Sequence, residues 1–160
     1  MRRYTGWTGK KSNGEGIERI VFLSGRRWRS RSLGTYADRD KRGKPGDKSV
    51  HADYRAADIL FPDRKTTREA CDWFSDPRVA NALKVELIID YEYRGPLRRA
   101  YGRAWRCDRQ AWKPLTKGEV AGGGQSWARW LHIEIAPGML AENGDWTEQI
   151  WRQLPKPGDM

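Results

Sequence analysis

In the stretch WLHIEI, residues 130–135, the aliphatic side chains of Leu and Ile alternate with those of Trp, His and Glu. This period of two predicts a β-strand. A proline and a glycine at positions 137 and 138 end it. Two other stretches are apolar enough to be buried strands: AADILF at 56–61 and VELIIDY at 85–91. The apolar character of VELIIDY favours a central place in the sheet.

Helical patterns lie between and after these strands. Thr66 and Thr67 are positioned to cap a helix over 66–74, and a second helix is predicted from Asp76-Pro77 to about residue 84. Residues 145–154 are amphipathic, with apolar side chains spaced by four. Strands and helices mix without a βαβ repeat, so we expect an α+β fold: a small central antiparallel sheet with flanking helices.

The remaining segments give weaker signals. Residues 17–23 form a short apolar run that fits either a strand or the start of a helix. Residues 30–48 are rich in Gly, Asp, Lys and Arg, which predicts a long loop. Irregular strand character is expected within 97–112. With 160 residues and no linker, the chain is expected to form one domain over 1–160.

Composition limits the classes of protein. No run of about 18 apolar residues occurs, so we expect no membrane insertion. The first seven residues carry charge but lead into no apolar stretch, which predicts synthesis in a cytoplasm without a signal peptide. Cys71 and Cys107 are then expected to be reduced and unpaired. Of the nine tryptophans, Trp28, Trp73, Trp146 and Trp151 are predicted to lie in the core.

The chain is strongly basic, with 31 Lys and Arg against 21 Asp and Glu and a net charge of +10. Such a surface attracts polyanions, whether nucleic acid, anionic wall polymers or acidic lipid headgroups. Basic residues crowd together at 26–31 and again at 94–109. A specific polyanion site and an ordinary solvated surface both remain open at this point.

The two histidines carry the clearest chemical signal. His51 lies seven residues before Asp58, which leads into the strand at 56–61, and His132 lies in the middle of WLHIEI. Two imidazoles and one carboxylate form a normal catalytic zinc set, which leaves a fourth position for water or substrate. The spacing alone also fits unconnected surface residues.

Residues 49–58, SVHADYRAAD, resemble the SxHxxGxAxD signature of the D-alanyl-D-alanine metallopeptidase family. A looser likeness extends from about residue 30 to 136. The resemblance implies a fold shared with lysostaphin-type enzymes and the Hedgehog fold, with Zn²⁺ held by His51, Asp58 and His132. It also implies a substrate contact at Ser49, which matches the signature serine.

The chain departs from the family pattern in two ways. The signature glycine is Tyr54 here, so we expect the turn to be built differently. Family members place a general base two or three residues before the last ligand, where this chain has Trp130 and Arg129. The catalytic candidates are therefore Glu134 and Asp53. Glu134 also fits a partner that fixes the tautomer of His132.

Three outcomes follow for catalysis: another carboxylate is the base, zinc acts without a base at low activity, or activity is lost and the groove is kept for binding. In the last case Arg129 is suited to clamp a substrate carboxylate, with Trp127 and Trp130 as groove wall or core.

The resemblance implies zinc-dependent hydrolysis of peptide bonds in peptidoglycan stem or cross-bridge peptides. Together with the missing signal peptide, it predicts a phage lysis or virion-associated protein that acts at the bacterial cell wall. The first alternative is a catalytically impaired domain used as a wall-binding or phage structural module. The second is a basic nucleic-acid-binding protein, with nucleic acid the least favoured partner and anionic wall polymers a further candidate.

Overall fold

A computed structural model describes residues 2–41, 44–95, 101–119 and 130–159. Its main feature is a six-stranded antiparallel sheet with the strand order β1-β4-β8-β5-β6-β7, beside a two-stranded ribbon, β2-β3. The α+β prediction with an antiparallel sheet is therefore confirmed. The strands are β1 (Arg31–Gly34), β2 (Asp40–Lys41), β3 (Lys44–Lys48), β4 (Ala56–Leu60), β5 (Val85–Asp90), β6 (Arg103–Arg106), β7 (Ala111–Pro114) and β8 (Trp130–Ile135).

Helices cover one face of this sheet. Ala57 and Ile59 of β4 and Leu131 and Ile133 of β8 point into a core shared with the helices, because side chains two apart on a strand share a face. The residues between them on these strands, including Asp58 and His132, therefore point to the opposite face. The helices are α1 (Glu15–Trp28), α2 (Arg64–Ser75), α3 (Pro77–Ala82), α4 (Met139–Glu142) and α5 (Gly144–Gln153).

An aromatic cluster forms the centre of the core. Trp28, Trp73 and Trp151 are each no more than 5% exposed, and their rings pack mostly edge to face with centroids 4.5–6.1 Å apart. The core assignment is confirmed for these three residues. It is wrong for Trp146, which is 45% exposed, because the buried stripe of α5 runs through Gly144, Thr147 and Trp151.

Two local predictions, at 66–74 and at 30–48, need correction, and the structure decides between the two alternatives left open for 17–23. Helix α2 begins at Arg64, and its cap is Asp63, whose carboxylate accepts a hydrogen bond from the Thr66 backbone amide at 2.7 Å. The run at 17–23 is part of α1. Residues 30–48 contain β1, β2 and β3 and are not one long loop; these are exposed strands, in which charged side chains are tolerated.

The N-terminal segment crosses the sheet surface and is tied down by polar contacts. Arg2 donates hydrogen bonds to the backbone carbonyls of Ala80 and Val85 at 2.8 and 2.6 Å. The Thr5 hydroxyl donates to Glu86 at 2.6 Å. These contacts join residues about 80 positions apart, so the segment is part of the folded unit.

Close packing between α1 and α4 gives a first stability prediction. A Cβ added at Gly16 would lie 2.0 Å from the Leu140 carbonyl oxygen and 2.8 Å from the Ala141 Cα. Gly16→Ala is therefore expected to lower the free energy of unfolding by about 3 kcal/mol, although alanine is the better helix former. Urea unfolding measures the change.

Gly25→Ala in the same helix is the matched control. Its added Cβ meets only the Ser30 carbonyl oxygen, at 3.2 Å, so a change within about 1 kcal/mol is expected. Equal losses in the two variants would contradict the packing argument.

Both cysteines are buried and free, as expected. Burial raises the pKa of the Cys71 thiol well above its ordinary value, which keeps this residue in the unreactive thiol form. Within the described ranges, no helix has the length and apolar character needed to cross a membrane.

Candidate metal centre

Strand register brings two of the three predicted ligands together. Asp58 of β4 pairs directly with His132 of β8, and Ile89 of β5 pairs with His132 from the other side. The Asp58 Oδ1 atom lies 3.0 Å from the His132 Nδ1 atom. Both side chains occupy the face of the sheet opposite the helices, so the antiparallel pairing of β4 and β8 builds this part of the site.

His51 reaches the same place from a 3-10 helix over Val50–Asp53. Ser49 precedes this helix, and its side chain accepts a hydrogen bond from the His51 backbone amide at 3.4 Å. The His51 Nδ1 atom lies 3.0 Å from the Thr35 carbonyl oxygen, which accepts only. Nδ1 therefore donates to this carbonyl, and Nε2 is the ring nitrogen that faces the other two side chains.

The three side chains are close enough together to hold a metal ion. One ligand atom from each of His51, Asp58 and His132 lies within 4.8 Å of the others. The His51 Nε2 atom is buried, lies 3.4 Å from Asp58 Oδ2, and has no hydrogen-bond partner. A buried ring nitrogen without a hydrogen-bond partner is unfavourable unless something is bound to it. This buried His-Asp-His triad can hold a metal ion.

Glu134 contacts the other side of the His132 ring. Its Oε1 atom lies 2.9 Å from His132 Nε2, and its Oε2 atom accepts a hydrogen bond from the Tyr4 hydroxyl at 2.8 Å. Glu134 is 3% exposed. The carboxylate thus fixes the His132 ring with Nδ1 towards Asp58, which is the orienting contact found behind metal-binding histidines.

Asp53, the other carboxylate predicted to be catalytic, is engaged in a different buried network. Its Oδ2 atom accepts hydrogen bonds from the Thr8 backbone amide at 2.6 Å, the Thr8 hydroxyl at 2.9 Å and Arg55 Nη2 at 2.9 Å. Asp53 therefore anchors the N-terminal segment, and its role as a base stays a prediction.

Tyr54 adopts the conformation that its glycine counterpart would favour. Its φ of 59° and ψ of 37° are left-handed, so the expectation of a differently built turn is wrong. Side-chain contacts offset the strain of this conformation. The Tyr54 ring packs against Tyr36 at 5.3 Å between centroids, and its hydroxyl donates to Glu18 at 3.1 Å. Gly14 leaves room for the ring, since a Cβ there would lie 2.6 Å from it.

Two aromatic side chains flank the triad along the sheet. Trp130 and Tyr91 stand on the same face as His132, with ring centroids 5.6 Å apart, and both are half-buried. Burial, with a smaller effect of the Asp58 and Glu134 charges, raises the pKa of Tyr91, so its phenol stays neutral. Trp130 is thus placed to form a groove wall. Arg129, Trp127 and the glycines at 122–124 lie outside the described residues.

Charge is concentrated around His132. Burial acts to lower the pKa of His132, but the Asp58 and Glu134 carboxylates outweigh this effect and raise the pKa to about 10. Burial likewise opposes ionisation of Asp58, whose pKa the two histidines hold well below its usual range. Without a metal, the centre is therefore an imidazolium between two carboxylates.

This arrangement predicts a pH dependence for the metal-free protein. The pKa of His132 is raised from 6.5, so its stabilising contribution is complete below about pH 6.5 and lost as the pH rises towards about 10. The pKa of Glu134 is lowered from 4.5, so its contribution is lost as the pH falls below that value. Maximal stability is expected between these limits.

Thermal unfolding with a chelator present, from pH 4 to pH 10, measures this profile. His132→Gln is expected to remove the decline on the alkaline side. If the wild-type stability profile is as flat as that of the variant between pH 6.5 and 10, the raised pKa of His132 is contradicted.

Comparison with protein-family models, with curated proteins and with solved structures finds no match to this chain. The family assignment based on residues 49–58 therefore stays a prediction.

Several residues at the site escaped the sequence analysis. Tyr4 is 130 positions from Glu134 in sequence, and Thr35 contributes only a backbone carbonyl, so no local pattern marks either of them. Tyr91 was recognised as the end of a strand. Its place beside Trp130 follows from the register between β5 and β8.

Proposed function

We propose that this chain is a zinc-dependent peptidase that hydrolyses peptide bonds in bacterial peptidoglycan. The observation that carries the proposal is the His51-Asp58-His132 triad, with ligand atoms within 4.8 Å of one another and an unpartnered, buried His51 Nε2 atom. Two imidazoles and a carboxylate match the ligand set of catalytic zinc sites.

Each residue of the centre then has a distinct task. His51, Asp58 and His132 would hold the ion, and zinc held in this way supplies an acidified water and polarises a carbonyl group. The Thr35 carbonyl sets the tautomer of His51, and Glu134 does the same for His132.

The substrate class rests on the resemblance of residues 49–58 to the D-alanyl-D-alanine metallopeptidases. The likeness of fold to the Hedgehog group and a place in phage lysis or in a virion are parts of the same proposal. The half-buried rings of Trp130 and Tyr91 beside the triad fit a groove that holds an extended peptide.

One observation favours a second candidate, a metal-containing module that binds the wall without cleaving it. Both oxygens of Glu134 are occupied, by His132 and Tyr4, and the Oδ2 atom of Asp53 is occupied by Thr8 and Arg55. Glu134 therefore has no oxygen without a partner that could accept a proton from a water at the triad, and Asp53 is tied into a separate buried network.

Digestion of purified peptidoglycan with zinc-loaded protein, read by mass spectrometry, separates the two candidates. New peptide termini that disappear in His51→Ala support the peptidase, and Glu134→Gln then tests whether that residue has more than an orienting role. Protein that pellets with the wall and releases nothing, even at high concentration, overturns the peptidase and supports the binding module.

A further inference from the structure

A second concave surface lies on the helical side of the molecule. It is a groove of about 540 Å³ between α1, α5 and the segment that follows α5, and its lining includes Arg26, Arg27, Arg152 and Lys156. We call it the α1–α5 groove. The metal centre lies on the opposite face of the sheet, so the two sites are separate.

The acidic residues of the groove are already engaged. Glu69 accepts a hydrogen bond from the Trp28 indole nitrogen at 2.7 Å. Glu148 accepts from Arg152 at 2.6 Å and also from Arg19. These two carboxylates are therefore occupied by donors at the edge of the groove.

Three of the groove cations have no such acceptor. Within the described part of the chain, the side chains of Arg26, Arg27 and Lys156 make no hydrogen bond or salt bridge. Arg26 and Lys156 are exposed, whereas Arg27 is half-buried. The groove thus presents cationic donors that are available to a ligand.

Arg27 is held in place by aromatic rings. Its guanidinium carbon lies 4.4 Å from the centroid of Trp73 and 4.7 Å from that of Trp151. Burial lowers the pKa of Arg27, which reflects the loss of water around its charge. A desolvated guanidinium in a fixed position is prepared to bind an anion with little loss of side-chain freedom.

We propose that the α1–α5 groove binds the phosphate groups of an anionic polymer. Guanidinium groups pair with phosphate oxygens through two parallel hydrogen bonds, and the ammonium group of Lys156 adds a point charge. The groove also uses Arg26 and Arg27 from the basic crowd at 26–31, which the metal centre does not use.

The aromatic residues of the groove indicate which kind of polymer binds. Trp151 lines the groove and is 4% exposed, and Trp28 and Trp73, which pack behind it, are 5% and 0% exposed, so none of these three rings is free to stack on a base. Binding of single-stranded nucleic acid depends on such stacking. The groove therefore suits a polymer whose phosphates are joined by non-aromatic units, such as a polyol phosphate.

The test compares two double variants that remove the same charge. Arg26→Gln/Lys156→Gln changes two exposed groove residues, and Lys44→Gln/Lys65→Gln changes two exposed lysines elsewhere. Binding of a fluorescently labelled glycerol phosphate oligomer is measured over a series of salt concentrations. The groove variant is expected to bind at least 10-fold more weakly at low salt, with a salt slope smaller by about 2, whereas the control keeps the wild-type slope.

Three results would overturn the proposal. The wild-type protein could fail to bind the oligomer, or the two double variants could lose equal amounts of binding affinity. The third result is tighter binding of single-stranded DNA of equal charge that depends on the same two groove residues. Because both groove substitutions are at exposed positions and the readout is binding, failure of the peptidase proposal leaves this test unaffected.

Discussion

Replacing Arg55 by methionine is expected to lower the free energy of unfolding by about 3–5 kcal/mol. Arg55 is fully buried, and it donates hydrogen bonds to Asp53 at 2.9 Å and to the carbonyls of Gly6 and Ile135 at 2.5 Å each. The Glu86 carboxylate lies 3.9 Å away. Methionine fills much of the volume but leaves two buried carboxylates without their cation.

An exposed arginine provides the matched control. The side chain of Arg78 is 58% exposed and pairs with Asp76 at 3.0 Å. Arg78→Met is expected to cost at most about 1 kcal/mol, because water stabilises both charges once they separate. Urea unfolding of both variants at one pH and ionic strength measures the difference.

A double variant isolates the cause of the loss. Adding Asp53→Asn to Arg55→Met removes one of the uncompensated buried charges, so part of the lost stability is expected to return. If the two substitutions instead destabilise additively, the buried charge is not the reason for the effect.

Replacing His51 by alanine is expected to abolish stoichiometric zinc binding. The substitution removes the buried, unpartnered Nε2 atom and leaves two donors of the three. Tyr4→Phe, which removes only the hydroxyl that holds Glu134, is expected to weaken binding by about 10–100-fold. The loss of zinc affinity in His51→Ala is expected to exceed that range.

Competition with a chelating dye measures the affinities, and metal analysis after desalting gives the stoichiometry. Circular dichroism checks that each variant is folded. Asp76→Asn changes a carboxylate outside the triad and is expected to keep wild-type affinity. Undiminished zinc binding by His51→Ala would eliminate the triad as the metal centre.

Local sequence patterns predicted most of the elements around the site. The alternation in WLHIEI and the apolar stretches 56–61 and 85–91 became β8, β4 and β5, which are adjacent in the sheet. The short, charged strands β1 to β3 were missed because exposed edge strands have little apolar pattern. Trp146 was wrongly predicted to be buried, because apolar residues spaced by four can lie on either of two adjacent stripes of a short helix and only one of these stripes faces the core.

The candidate ligands were also accessible from sequence, because the chain contains only two histidines and one of them lies in a recognisable segment. The residues that contact these ligands could not all be identified from the sequence. Glu134 could be placed on the same strand face as His132, but only the folded chain brings Tyr4 to its other oxygen. The left-handed angles of Tyr54 likewise depend on Gly14 and Glu18, which pack around it in space.

The sequence by itself determined the local elements and the basic charge and singled out three candidate donors, since each depends on residue type and short-range periodicity. Tertiary structure decided the strand register that sets Asp58 beside His132, and the burial that leaves the His51 Nε2 atom without a partner. It also decided the grouping of Arg27 with Trp73 and Trp151. These features join residues far apart in the chain, and only long-range packing brings them together.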